Sequence, residues 1–112
     1  EEIVRQLFIV HLHSELHYSL SNMSVEKQLV FGGFKRRFDL VVYDPSGAPL
    51  VIVECKSYET AISQRVLDQA ANYNFILKAP YLAVTNGRST LIAKIDHALK
   101  SYQFIEQLPF HT

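Results

Sequence analysis

Asp39, Glu54 and Lys56 are the first candidates for chemistry in this 112-residue chain. They bracket FDLVVYDPSGAPLVIVECK, residues 38–56, in which Leu40 to Tyr43 and Leu50 to Val53 are β-rich runs and Asp44-Pro45-Ser46-Gly47 is turn chemistry between them. If the runs pair antiparallel, Asp39 stands opposite the region of Glu54 to Lys56, and alternation puts Glu54 and Lys56 on one face. An unpaired ionised group at a buried strand end is costly to desolvate, so two acids and an amine there need a reason. Two readings are open. In one, Asp39 and Glu54 share an oxygen-loving divalent cation, and Lys56 supplies a cation beside the reacting group. In the plainer one, Lys56 pairs with Asp39 or Glu54 where the sheet meets water.

Other residue types carry weaker signals. Glu2 and Glu15, on the first helix, are each a candidate third acid, and each is more simply a solvated helix charge. His13 and His17 have the i, i+4 spacing of helical zinc sites, but no Cys or acid stands at motif spacing, and the remaining ligands would have to come from Glu15, His97 or His111. Lys35-Arg36-Arg37 is the only run of three like charges. It reads either as a solvated strand edge or as a grip on a phosphate backbone, directly before Asp39. Cys55, the single cysteine, excludes an internal disulfide and reads as a buried strand residue, because reactive thiols need an electropositive, partly exposed setting.

The elements that must position these residues follow from periodicity. Glu1 to about Tyr18 reads as a helix, with Ile3, Leu7 and Val10 on one face and Val4 and Phe8 beside them. Ser19 to Ser24 is polar and expected as a loop. Val25 to Phe31 reads as a strand, Gly32-Gly33 as a turn, and Phe34 to Tyr43 enters the hairpin. A second helix spans Thr60 to Lys78, with Ser63 as its N-cap and Gln69 on or at the edge of its core-facing stripe, one turn from Tyr73. Pro80 to Thr85 is a short strand stopped by Asn86-Gly87. Strand, helix, strand in that order implies a crossover with the two strands parallel. Leu91 to Asp96 and Tyr102 to Ile105 are expected as a returning strand pair.

Composition fits one globular domain over residues 1–112, with the chain beginning Glu1-Glu2 as a piece of a longer polypeptide would. Eleven basic residues balance eleven acidic ones, so a broad electrostatic footprint on DNA or on a membrane is not expected, and any nucleic-acid contact must be local. No apolar run is long enough to span a bilayer, so the expected setting is soluble, reducing and cytoplasmic, with no membrane partner.

The ordered set RRFDLVVYD, PLVIVECK, LDQAANYNFIL and YLAVTNG resembles the PD-(D/E)XK nuclease superfamily, and within it the N-terminal nuclease domain of type I restriction enzyme R subunits. The resemblance covers most of Glu1 to Gly87. It implies an α/β restriction-endonuclease-like core, with a mixed central sheet of antiparallel meander plus parallel crossover strand, flanked by helices. It implies an endonuclease that hydrolyses phosphodiester bonds in DNA, with Mg²⁺, or Mn²⁺ in its place, bound by Asp39, Glu54 and the Cys55 carbonyl. Lys56 would orient or help deprotonate the attacking water. Gln69 would steady the site or its nucleic acid, with Tyr73 behind it, and Glu2 stands roughly where resolvase-like members carry a first-helix acid. Implied partners are DNA and either a second copy or other subunits and domains of a restriction complex. The proline usual before the first acid is Phe38 here. A nuclease-fold module that binds or assembles without turnover is the alternative.

Overall fold

Runs rich in Val, Ile, Leu and aromatic residues form the six strands of one sheet in the computed structural model, which describes residues 1–109 apart from the side chains of Phe31, Phe34, Tyr73 and Ile76. In chain order the elements are α1 (Glu2–Ser14), β1 (Met23–Phe31), β2 (Phe34–Tyr43), β3 (Pro49–Cys55), α2 (Gln64–Leu77), β4 (Tyr81–Thr85), β5 (Thr90–Asp96) and β6 (Ser101–Ile105). The strands lie side by side in sequence order, and only β3 and β4, joined through α2, run parallel. The mixed α/β sheet is therefore the one expected from the strand, helix, strand order.

Alternation divides the sheet between two cores. Val51, Val53 and Cys55 of β3 pack with Leu40 and Val42 of β2 on the α1 side, while Ile52 and Val41 pack with Leu67, Ala70 and Ala71 on the α2 side. Apolar residues on both faces are what a parallel pair buried between two helices demands. One position breaks the pattern. Phe38 joins the α2 side although Leu40, two residues on, joins the α1 side, so β2 rotates at Asp39.

The first helix differs from expectation in length and in face. It ends at Ser14, because His17 turns left-handed at φ 66° and the Tyr18 N–H reaches back to the Leu12 carbonyl at 3.0 Å, closing the helix before Tyr18. Its buried stripe is Val4, Phe8 and Leu12, whereas Ile3, Leu7 and Val10 are 76%, 58% and 58% exposed. Apolar residues run round most of this helix, and only one stripe can face the sheet. The Ser19 to Ser24 segment is partly ordered, with a 3-10 turn at Leu20–Asn22 and β1 already begun at Met23.

Ser63 does cap α2, its hydroxyl accepting the Val66 N–H at 3.4 Å, so the helix starts at Gln64 rather than Thr60. The inward positions are Leu67, Ala70, Ala71 and Asn74, which leaves Gln69 exposed rather than in the core stripe. Asn74 is buried and serves as donor to the Ala79 carbonyl and acceptor from the Ala79 N–H, tying the end of α2 to the start of β4. No helix among the described residues is long and apolar enough to cross a membrane.

Candidate active site

The hairpin ladder between β2 and β3 runs from Tyr43↔Pro49 to Leu40↔Val53. At the next rung the Asp39 side chain takes over, and Oδ2 accepts the Cys55 N–H at 2.7 Å. A carboxylate thus ends the pairing where the main chain would otherwise have continued it, which agrees with the rotation of β2 at this residue. Beyond Asp39, strand β2 continues beside β1 alone, through Phe38↔Lys27 to Phe34↔Phe31.

Glu54 turns to the α2 side, one residue before the buried Cys55. Its Oε1 accepts from the Arg36 guanidinium, and its Oε2 lies 3.4 Å from the Lys56 ammonium. Arg36 also lies over the Phe38 ring, 5.4 Å from its centre. These residues line a cleft of about 440 Å³ made by Arg36, Glu54, Lys56, Gln69 and Asn72. The helix register that leaves Gln69 exposed is the one that sets it in the lining of this cleft, beside Glu54 and Lys56.

Burial raises the Asp39 carboxyl above the ordinary carboxylate range, against the lowering effect of the Cys55 N–H, and the negative charges of Glu54 and Glu1 push it further in the same direction while Lys56 opposes them. Asp39 and Glu54 are therefore electrostatic neighbours with repelling charges. Burial, with Asp39 next in importance, pushes the Cys55 thiol up to about 12. That thiol lies in the α1 core, so only the main chain of Cys55 belongs to the site.

The loop leaving Lys56 is fastened to the end of β4. The Lys56 N–H donates to the Thr85 carbonyl at 2.8 Å. Asn86, 2% exposed, donates to the Thr60 carbonyl at 2.6 Å and accepts from the N–H groups of Arg88 and Ser89. Arg88 Nε donates to the Tyr58 carbonyl at 2.9 Å, with the guanidinium 4.9 Å from the Tyr58 ring centre. Asn86 reads in the sequence only as a strand stop, and nothing in its spacing signals this bracing role.

The structure thus brings together Asp39, Glu54, Cys55 and Lys56, and sets Gln69 in the same cleft as Glu54 and Lys56. It adds Arg36, which sequence reading places in a basic run but not on an acid. The Tyr73 side chain lies outside the described residues. Glu2 is exposed and 3.8 Å from Arg5, and Glu15 caps the far end of α1; neither is among the charges felt at Asp39. The first-helix acid felt at Asp39 is Glu1. The His13 ring meets the Tyr18 carbonyl at 2.8 Å, and His111 lies outside the described residues. Among the described residues no three His, Cys, Asp or Glu side chains gather as a metal cluster.

Comparison with known proteins gives two positive findings. Among curated proteins none matches the chain. Among solved structures, one described as a fragment of an HsdR subunit of a type I restriction enzyme from Vibrio vulnificus YJ016 is similar with a TM-score of 0.62 at 18% identity. The likeness spans 95% of this chain and 22% of that one, and at this identity it speaks for the fold. The family model "Type I restriction enzyme R protein N terminus" matches residues 1–109. With nearly its whole length matched, the chain belongs to the family of type I restriction enzyme R protein N termini.

Proposed function

We propose that this chain is a metal-dependent endonuclease domain of the PD-(D/E)XK superfamily, hydrolysing phosphodiester bonds in DNA as part of a type I restriction assembly. The observation that carries the reading is the convergence of Asp39, Glu54 and Lys56 where β2 leaves β3, with Asp39 anchored on the Cys55 N–H. The donor set suits a hard divalent cation. The Glu54 charge helps to raise Asp39, and a cation held by the two carboxylates would relieve that repulsion. Asp39, Glu54 and the Cys55 carbonyl would hold Mg²⁺ or Mn²⁺. Such an ion would supply positive charge to offset that on the nonbridging phosphate oxygens and would help to activate water.

The remaining work falls to the protein. Lys56 presents its ammonium on the cleft side of Glu54, where it orients a water for in-line attack and compensates charge on the phosphate. Gln69 and Asn72 supply amides on the opposite wall to position the strand being cut. Arg36 holds Glu54 in place.

A second reading, a nuclease-fold module without turnover, is favoured by one observation: both Glu54 oxygens already face cations, Arg36 and Lys56. Calorimetric titration with Mn²⁺, alongside plasmid digestion by wild type and Asp39→Ala, separates the two. Saturable Mn²⁺ binding with cleavage lost only in the variant supports the enzyme. Absence of binding, or digestion identical in both proteins, rejects it in favour of the silent module.

A further inference from the structure

The hairpin of β1 and β2 reaches past the rest of the sheet. β3 pairs with β2 only as far as Leu40, so residues from Lys27 to Phe38 form a two-stranded ribbon with no third strand beside it among the described residues. From Phe34 to Phe38 the ribbon extends roughly 14 Å, at about 3.4 Å per residue. Its tip is narrow because Gly32 and Gly33, at φ 51° and 83°, make a two-residue turn that needs positive φ at both positions.

The charge on this ribbon has one sign. Four of the eleven basic residues and none of the eleven acidic ones lie between Lys27 and Phe38, which leaves seven basic against eleven acidic elsewhere. Protection of a bare strand edge against aggregation is served by a charge or two, Lys above all, and it does not call for four basic residues with no acid among them. The pairing also sorts the side chains. Leu29↔Arg36 and Lys27↔Phe38 are pairs of one face, and Leu29, Arg36 and Phe38 turn toward the α2 side and the cleft. Val30↔Lys35 and Gln28↔Arg37 make the other face, and all four of these side chains are exposed.

We propose that the overhanging ribbon is a DNA-binding arm that enters the major groove of the duplex, with Lys35 and Arg37 on phosphates of one groove wall and the Arg36–Glu54 cleft facing the other. A major groove about 12 Å wide and 8.5 Å deep admits a two-stranded ribbon. Standing edge-on, with its two faces turned to the two groove walls, the ribbon would grip one backbone with Lys35 and Arg37 and deliver the other to the cleft. Arg36 makes the link physical, since it stands on the ribbon and bonds the candidate metal ligand Glu54. The proposal rests on the reading of the chain as a DNA-acting domain, and it adds where and how the duplex is held.

The test is binding of a short labelled B-form duplex by anisotropy over a salt series, in EDTA, so that neither metal nor cleavage enters. Three proteins are compared: wild type, K35Q/R37Q on the ribbon and K94Q/K100Q, exposed charges on β5 and after it. The ribbon variant should bind about tenfold more weakly, with the slope of log affinity against log salt shallower by about two, and the control should stay within about twofold of wild type. The charge-retaining K35R/R37K should bind as wild type does, which separates charge from folding. Equal weakening in the control, a ribbon variant within about twofold of wild type, or no duplex binding by wild type would each overturn the arm. Loss of Mn²⁺ binding or of cleavage bears on the nuclease reading alone.

Discussion

The Asp39 carboxylate accepts the Cys55 N–H at 2.7 Å, so the candidate acid of β2 is fastened to the strand that carries Glu54 and Lys56. One side-chain bond replaces a rung of the ladder and fixes the relative position of the two acids. The geometry rests on paired strands and a braced loop rather than on a free loop, as a preorganised site requires.

Asp39→Asn keeps an oxygen for the Cys55 N–H and removes the charge. Because the folded state raises the Asp39 pKa, the stability associated with its neutral form is present below the unfolded pKa and lost as pH rises through the folded one. At pH 7 the wild type therefore bears a cost that the variant does not. The Asp39→Asn protein should melt above wild type at pH 7, with the gap narrowing as pH falls toward about 4, while cleavage is lost. Scanning calorimetry at several pH values reads this, and a lower melting temperature at pH 7 would contradict it.

Arg36 and Lys56 compete with a cation for Glu54. For a partly exposed ion pair worth about 0.5–1 kcal/mol, Arg36→Gln should raise Mn²⁺ affinity roughly two- to fivefold. Lys56→Met should do the same while abolishing cleavage, a split that separates binding from chemistry. Calorimetric titration gives the first quantity and plasmid nicking the second. Weaker Mn²⁺ binding in both variants would mean that the two side chains support the ion rather than oppose it.

Much of this arrangement is legible in sequence. Asp44-Pro45-Ser46-Gly47 marks the hairpin, the Asp44 carboxylate accepting the N–H groups of Ser46 and Ala48, and the strand, helix, strand order marks the parallel pair. The strand acids are readable because a charge ending an apolar run stands out. The buried face of α1 is not, since Ile3, Leu7 and Val10 are as apolar as Val4, Phe8 and Leu12, and only the shape of the sheet decides between them. The Arg36 contact with Glu54 joins residues whose pairing depends on the rotation of β2 at Asp39. No periodicity in the sequence marks that rotation.

Paired substitutions on α1 check its face directly. Leu12→Ala removes a fully buried side chain and should cost about 2–5 kcal/mol, whereas Leu7→Ala, at a position 58% exposed, should cost less than about 0.5 kcal/mol. Urea denaturation gives both values. Equal losses would mean that the Leu7 stripe is also covered.

Asn86→Ala removes one donor and one twice-used acceptor from a buried position, leaving the Thr60 carbonyl and two N–H groups without that partner. A cost of about 2 kcal/mol is expected. Proteolysis should become faster between Lys56 and Ser63, the loop that Asn86 braces. Unchanged cleavage there would show that the Arg88 contacts with Tyr58 hold the loop unaided.

Cys55 offers a probe of the site from its buried side. Its thiol is 2% exposed and pushed up to about 12, chiefly by burial, so almost none is thiolate at pH 8 and a disulfide reagent has no access to it. In the native protein it should label far more slowly than a free thiol, and in guanidinium at the ordinary rate. When reclosing outruns labelling, the native rate follows the population of open molecules, so Leu12→Ala should accelerate it about tenfold for each 1.4 kcal/mol of stability lost. The thiol shares the α1 core with Leu12, while its own N–H holds Asp39. The labelling rate thus measures how often the strand anchoring the candidate acid comes free. Rapid labelling of native wild type at pH 8 would place Cys55 outside that core and undo the assignment of only its main chain to the site.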